Sequence, residues 1–291
     1  MATPQDGQAA QREQTLREPL VLDVVPPQRI AQLVEAVGIR KCQLPALQTL
    51  TLGVLAGAFI ALGGMFFTVV ITDSALGFGP TRLLGGLSFS LGLILVIIGG
   101  AELFTGNSLI VMAWADGRVS THALVRNWAI VYAGNLAGAL GMVALMHLSG
   151  AMDIGGGKVA ATARTIAEAK VNLGPTSAIV RGILCNVLVC LAVWMCFAAH
   201  TVAGKAVAIV FPITAFVALG FEHSIANMYL IPIGALQAGS TVSVAGFIAN
   251  ILMVTAGNIV GGGVLVALVY WLVYLRRPDG AGTTNAGSSH D

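Results

Sequence analysis

Two octets hold the residues best placed to do chemistry in this chain. Gly100-Ala101-Glu102-Leu103-Phe104-Thr105-Gly106-Asn107 and Gly220-Phe221-Glu222-His223-Ser224-Ile225-Ala226-Asn227 carry Gly, Glu and Asn at the same spacing, 120 residues apart. Each is a polar interruption of an apolar run. A glutamate in a lipid-buried helix is costly unless it lines a cavity or is satisfied by protein. Two such interruptions in matching places predict a transport site between structural repeats. His223 titrates near pH 6.5 when unperturbed. It reads either as a hydrogen-bonded core residue or as a pore-lining group exchanging a proton with a weak acid. Glu102 and Glu222 read either as proton carriers or as acceptors for backbone N–H groups freed by a broken helix. Their equivalent positions favour the shared structural duty. Thr105 and Ser224 are placed to cap the second half of each broken helix. Two half-helix N-termini converging near the midplane would favour an anion.

The elements that must position these residues follow from composition. The 291 residues are 56% hydrophobic and 10% charged, with a mean hydropathy of +0.86. Soluble domains carry about 25% charge, so the chain reads as a polytopic membrane protein. A net charge of +2 without a basic run excludes a nucleic-acid binder. Cys42, Cys185, Cys190 and Cys196 lack metal-ligand spacing and read as small buried hydrophobes. No metal or cofactor is expected.

A bilayer core of about 30 Å needs about 20 apolar residues per helix. Six runs qualify, near 47–71, 83–111, 124–148, 178–199, 206–233 and 244–275. The octets fall in the second and fifth, which read as broken helices. Irregular backbone at that depth must be buried in protein or line a wet cavity. Ala133-Gly134-Asn135 in the third run is echoed by Ala256-Gly257-Asn258 in the sixth, and Gly53 in the first by Gly182 in the fourth. Runs one to three thus match runs four to six. An odd number of spans per half inverts the second half. The expected fold is an all-α membrane protein with six transmembrane helices as a 3+3 inverted repeat, repeats 46–149 and 177–277, spans two and five broken. Asn135, Asn186 and Asn258 are expected to hydrogen-bond across helices.

Residues 1–27 read as a flexible segment, and residues 1–29 lack the apolar core of a signal peptide. Ile30, Leu33, Val34 and Val37 have helical spacing, so residues 28–45 are expected to lie as an amphipathic helix on the cytoplasmic face. Residues 46–277 form the transmembrane domain, and the Gly/Thr/Ser-rich tail 278–291 reads as disordered. Arg29, Arg40, Lys41, Arg118, Arg126, Lys205, Arg276 and Arg277 fall on one side of the six runs. By the positive-inside rule both termini are cytoplasmic, in a bacterial inner membrane.

With these motifs in order over roughly residues 25–277, the chain resembles the formate/nitrite transporter family. The match lies in Ala101–Asn107, Arg181–Asn186, Gly220–Asn227 and Gly257–Gly263. The resemblance implies an aquaporin-like protomer in a homopentamer, one pore per protomer, and no enzymatic activity. It implies that His223 is the central pore histidine and Thr105 the threonine facing it. It further implies a constriction at Phe89 and Phe216, an apolar slit at Leu93, Leu103 and Phe104 with Val189 opposite, and Lys170 as a vestibule lysine. Asn186 and Asn258 become pore-adjacent asparagines, and Glu102, Glu222, Asn107 and Asn227 the scaffold of the breaks. Formate is the first substrate expected and nitrite the second, with hydrosulfide open.

Two other readings compete. A neutral-solute facilitator shares broken helices in an inverted repeat, but no Asn-Pro-Ala triplet occurs. A membrane enzyme would gather Glu102, Glu222 and His223 around a metal, but no second histidine or break cysteine supports it.

Overall fold

The computed structural model describes residues 25–276. The expected flexible start and disordered tail lie, apart from residues 25–27, outside the described residues. Helix α1 (Pro27–Gln43) opens with proline at its first position and buries Ile30, Ala31, Val34 and Gly38 on one face. Pro at N1 suits a helix because its missing N–H has no intrahelical partner there. Leu44 ends the helix in extended conformation, as a residue before proline must, and Pro45 leads into α2 (Ala46–Ile71).

Helix α3 (Phe78–Gly99) stops inside an apolar run. The chain resumes as a short 3-10 turn, Gly106–Ile110, and α4 (Val111–Ala115). Helix α5 (Thr121–Leu148) follows, capped by the Ser120 hydroxyl. The long connection after α5 contains α6 (Lys158–Val171), which buries Val159, Ala163 and Ala167. That three-residue apolar stripe on a half-polar helix is too narrow to stand out by pattern. Then come α7 (Pro175–Ala198), α8 (Val202–Ala218), α9 (Ser224–Ala235) and α10 (Val244–Ile259). The last run continues without a break as a π-helical stretch, Val260–Leu268, into α11 (Val269–Tyr274).

Five helices among the described residues are long and apolar enough to cross a membrane: α2, α3, α5, α7 and the continuous Val244–Tyr274. Helices α8 and α9 are shorter because the chain leaves helical conformation between them. Helix α2 packs on α3 and α5, α3 on α8, α7 on α10, and α6 on α9. Small residues let these backbones touch. A Cβ on Gly57 would run into the Asn135 carbonyl of α5, and one on Gly257 into the Ile179 carbonyl of α7. Close approach of this kind is how membrane helices gain packing energy without a hydrophobic drive. A Cβ on Gly262 would come within 2.7 Å of both Ser108 and Cys190, so the π-helical stretch presses on the turn after α3. Large apolar side chains face outward, Phe211 at 74% exposure among them, while the polar side chains of the octets are buried.

Candidate permeation site

Both octets begin with the same backbone device. Gly100 and Gly220 sit at φ 73°, in the left-handed region that glycine enters without steric cost. Ala101 N–H then reaches back to the Val96 carbonyl at 2.9 Å, and Phe221 N–H to the Phe216 carbonyl at 3.0 Å. This six-to-one bond closes a helix end and satisfies a carbonyl left without an intrahelical donor. Octet glycine therefore stops a helix without exposing polar backbone to apolar surroundings.

The chain beyond each glycine is held by matching hydrogen bonds. Glu102 N–H donates to Leu52 O (3.1 Å), Glu222 N–H to Arg181 O (3.2 Å). Asn135 Oδ1 accepts from Phe104 N–H (2.9 Å), and its Nδ2 donates to Gly53 O and Glu102 O. Asn258 Oδ1 accepts from Ser224 N–H (2.9 Å), and its Nδ2 donates to Gly182 O and Glu222 O. The asparagines, not the glutamates, thus satisfy the loose backbone groups. This corrects the expectation for Glu102 and Glu222. An amide offers donor and acceptor together, which a carboxylate cannot.

The glutamates take side-chain partners. Glu102 accepts from Asn107 Nδ2 at 2.7 Å and pairs with Lys41 Nζ at 3.0 Å. Glu222 accepts from Asn227 Nδ2 at 2.7 Å and receives Lys170 Nζ on both oxygens at 3.0 Å. Asn127 Oδ1 accepts from Asn107 and its amide donates to Lys41 O. Asn250 stands likewise between Asn227 and Lys170 O. Lys41, Asn127 and Asn250 escaped sequence reasoning. The signal was there: Lys41 ends an amphipathic helix just before span one, as Lys170 does before span four.

The two breaks differ at one contact. Thr105 Oγ1 lies 3.0 Å from His223 Nε2, both side chains buried. The sequence placed Thr105 as a helix cap. Its backbone is already helical (φ −63°, ψ −38°) and its hydroxyl caps nothing, because a cap residue needs extended backbone. Ser224 is likewise inside α9, and its hydroxyl has no partner among the described residues. The cap of α9 is His223, whose Nδ1 accepts from Ala226 N–H at 3.1 Å. A backbone N–H can only donate, so Nδ1 carries no proton. The neutral ring then holds its proton on Nε2 and donates it to Thr105. The Thr105 hydroxyl proton stays available for an acceptor. The expected convergence of two half-helix dipoles is lopsided: α9 has 12 residues, whereas the chain beyond Thr105 makes a five-residue 3-10 turn.

A cavity opens on each side of this contact. One, about 250 Å³, is walled by α1 and lined by Leu93, Leu103, Glu102, Asn107 and Lys41. The other, about 270 Å³, is lined by Phe89, Phe216, Lys170, Glu222, Asn227 and His223. Phe89 meets Phe216 edge-on at 5.7 Å, and Phe216 stacks on the His223 ring at 5.9 Å. Thr105, Val189, Asn186 and Asn258 are buried and line neither cavity. Phe104 also lines neither and packs edge-on with Trp128 and Tyr132. Asn186 donates to Thr105 O (3.2 Å) and Asn258 O (2.7 Å), tying the two breaks together. No group of three metal-ligating side chains occurs among the described residues.

Apolar helices of spanning length around two cavities, with a buried polar contact joining the two breaks, define a multi-pass membrane pore protein. Residues 28–272 match the model of the formate/nitrite transporter family, and the chain belongs to that family. It is 41% identical to the formate channel FocA of Escherichia coli K12 over 276 residues, 88% of this chain and 97% of the relative. It is 39% identical to a probable formate transporter of Methanothermobacter thermautotrophicus, covering 86% and 97%. A solved structure described as a pentameric formate channel with formate bound superposes with TM-score 0.74 at 41% identity, over 79% of this chain and 98% of that one.

Proposed function

We propose that this chain is one protomer of a homopentameric channel that passes small monovalent weak-acid anions, formate first, across a bacterial inner membrane. The carrying observation is the buried Thr105–His223 contact between the two cavities. Support for the substrate and the assembly comes from the FocA relative and the formate-bound pentamer. The relatives are channels and transporters, in keeping with a non-enzymatic role.

The architecture we infer is six spans in a 3+3 inverted repeat, aquaporin-like, with spans two and five broken. The matched hydrogen bonds of the octets support it, down to the Lys41 and Lys170 partners. Helix α1 then plays in the first half the part of α6 in the second. The lysine and arginine bias puts α1 and both termini on the cytoplasmic side, so the Lys170 cavity faces outward.

In this reading an anion enters a net positive cavity. Arg82, Lys170 and Arg181 against Glu222 leave two positive charges on one side, and Lys41 and Lys205 against Glu102 leave one on the other. Phe89 and Phe216 in one cavity, and Leu93 and Leu103 in the other, then make the charged form costly. Desolvation raises the pKa of a carboxylic acid, so the permeant takes a proton and crosses as the neutral acid. Thr105 donates to its oxygen, His223 relays the proton, and Asn186 and Asn258 hold both in register. Purified protein in proteoliposomes should take up labelled formate faster than nitrite. Uptake of neither above empty liposomes would overturn the reading.

A further inference from the structure

The lysines that the repeat places in the two cavities are neutralised where they stand. Lys170 meets both oxygens of Glu222, and Lys41 meets Glu102 and also donates to Asn107 at 2.7 Å. An anion arriving at either amine must compete with a fixed carboxylate 3.0 Å away. The charge that remains must come from elsewhere. In the Lys170 cavity it comes from Arg82, whose guanidinium donates to the α8 carbonyls of Val217 and Ala218, and from Arg181, which donates to Gly220 O just beyond that helix. Those are neutral acceptors, so both charges stay uncompensated.

In the Lys41 cavity a single residue has this property. Lys205, on the first turn of α8, lines that cavity, and its amine has no hydrogen-bond or ion-pair partner among the described residues. Its backbone is fixed: its N–H donates to Thr201 O, and its carbonyl accepts from Cys196 Sγ. The same cavity is lined by the apolar Leu93, Leu103 and Val193. An ammonium in a confined, largely apolar space focuses its field on whatever enters.

We propose that Lys205, and not the carboxylate-paired Lys41, is the cation that receives the permeating anion in the cavity walled by α1. The ligand class is a small monovalent carboxylate, held by one charge-assisted hydrogen bond. The inference rests on the channel reading above.

The test is initial uptake of labelled formate at sub-saturating concentration in proteoliposomes, for wild type, Lys205→Met and Lys205→Arg, at low and high ionic strength. At low salt Lys205→Met should lose roughly tenfold in rate, and Lys205→Arg should restore most of it. The deficit should close at about 1 M salt, where the Debye length is about 3 Å. Wild-type rate and salt dependence in Lys205→Met would overturn the assignment. So would equal loss in both variants, or a deficit that persists at high salt, since either marks a packing role. Absence of uptake by wild type would instead contradict the channel reading itself.

Discussion

The two broken segments use one scaffold for two purposes. Around Glu102 and around Glu222 the same sequence of bonds recurs: a left-handed glycine, a six-to-one closure, an asparagine on the loose backbone, a carboxylate shared by an asparagine and a lysine. Onto this frame one half mounts Thr105 and the other His223, and the two meet. Shared residues therefore satisfy the backbone of both breaks, and in the proposed function the unshared residues are the ones that meet the permeant. The comparison can be broken at either level.

The largest effects should come from the shared asparagines. Asn135→Ala and Asn258→Ala each orphan a buried N–H and two carbonyls. One unsatisfied buried group costs about 1–3 kcal/mol, so each variant should lose on the order of 3 kcal/mol. Thermal unfolding in detergent should show comparable drops for both, and a drop in only one would end the equivalence. Next come Glu102→Gln and Glu222→Gln. Each replaces an ion pair by a hydrogen bond from a lysine that stays charged but loses its counter-ion, at about 2 kcal/mol, again alike in the two halves by the same measurement.

Thr105→Val should sharpen the contrast from the other direction. It keeps shape and orphans one buried donor, His223 Nε2–H, against three groups in each asparagine variant, so unfolding should move by only about 1 kcal/mol while formate flux falls. A large stability loss with full flux would make Thr105 part of the scaffold.

The smallest effect lies outside the spans, on α1. Burial, then a hydrogen bond and charge repulsion from Asp116, raise the Glu35 carboxyl above its ordinary 4.5, with Arg118 pulling the other way. A raised carboxyl pKa stabilises the folded state when protonated. That stability is present below pH 4.5 and lost as pH rises through the folded value. Glu35→Gln should therefore raise the unfolding temperature slightly at neutral pH, with the gain disappearing in acid. A constant offset across pH would contradict this.

Much of this frame was legible in the sequence because its parts are strong local signals. Gly, Glu and Asn at fixed spacing inside apolar runs marked both breaks, and Asn135 and Asn258 stood at matching places. Partner identity was not legible. Lys41 reaches Glu102 from 61 positions earlier in the chain, and pattern within one helix cannot report such a distance. The cap of α9 was misassigned to Ser224 because hydroxyls are the usual caps, whereas a histidine Nδ1 accepts equally well. Helix α6 was missed because its buried face is only three small residues wide.

The central claim is that His223, unlike the scaffold around it, sets the proton linkage of permeation. It is tested most directly by formate uptake across a pH series in proteoliposomes carrying wild type or His223→Asn. Asparagine retains an acceptor for the Ala226 N–H and is a strong cap residue, so the fold should persist. We expect the pH dependence or the direction of net flux to change in the variant. Unchanged pH-dependent uptake would contradict the account and return His223 to the scaffold.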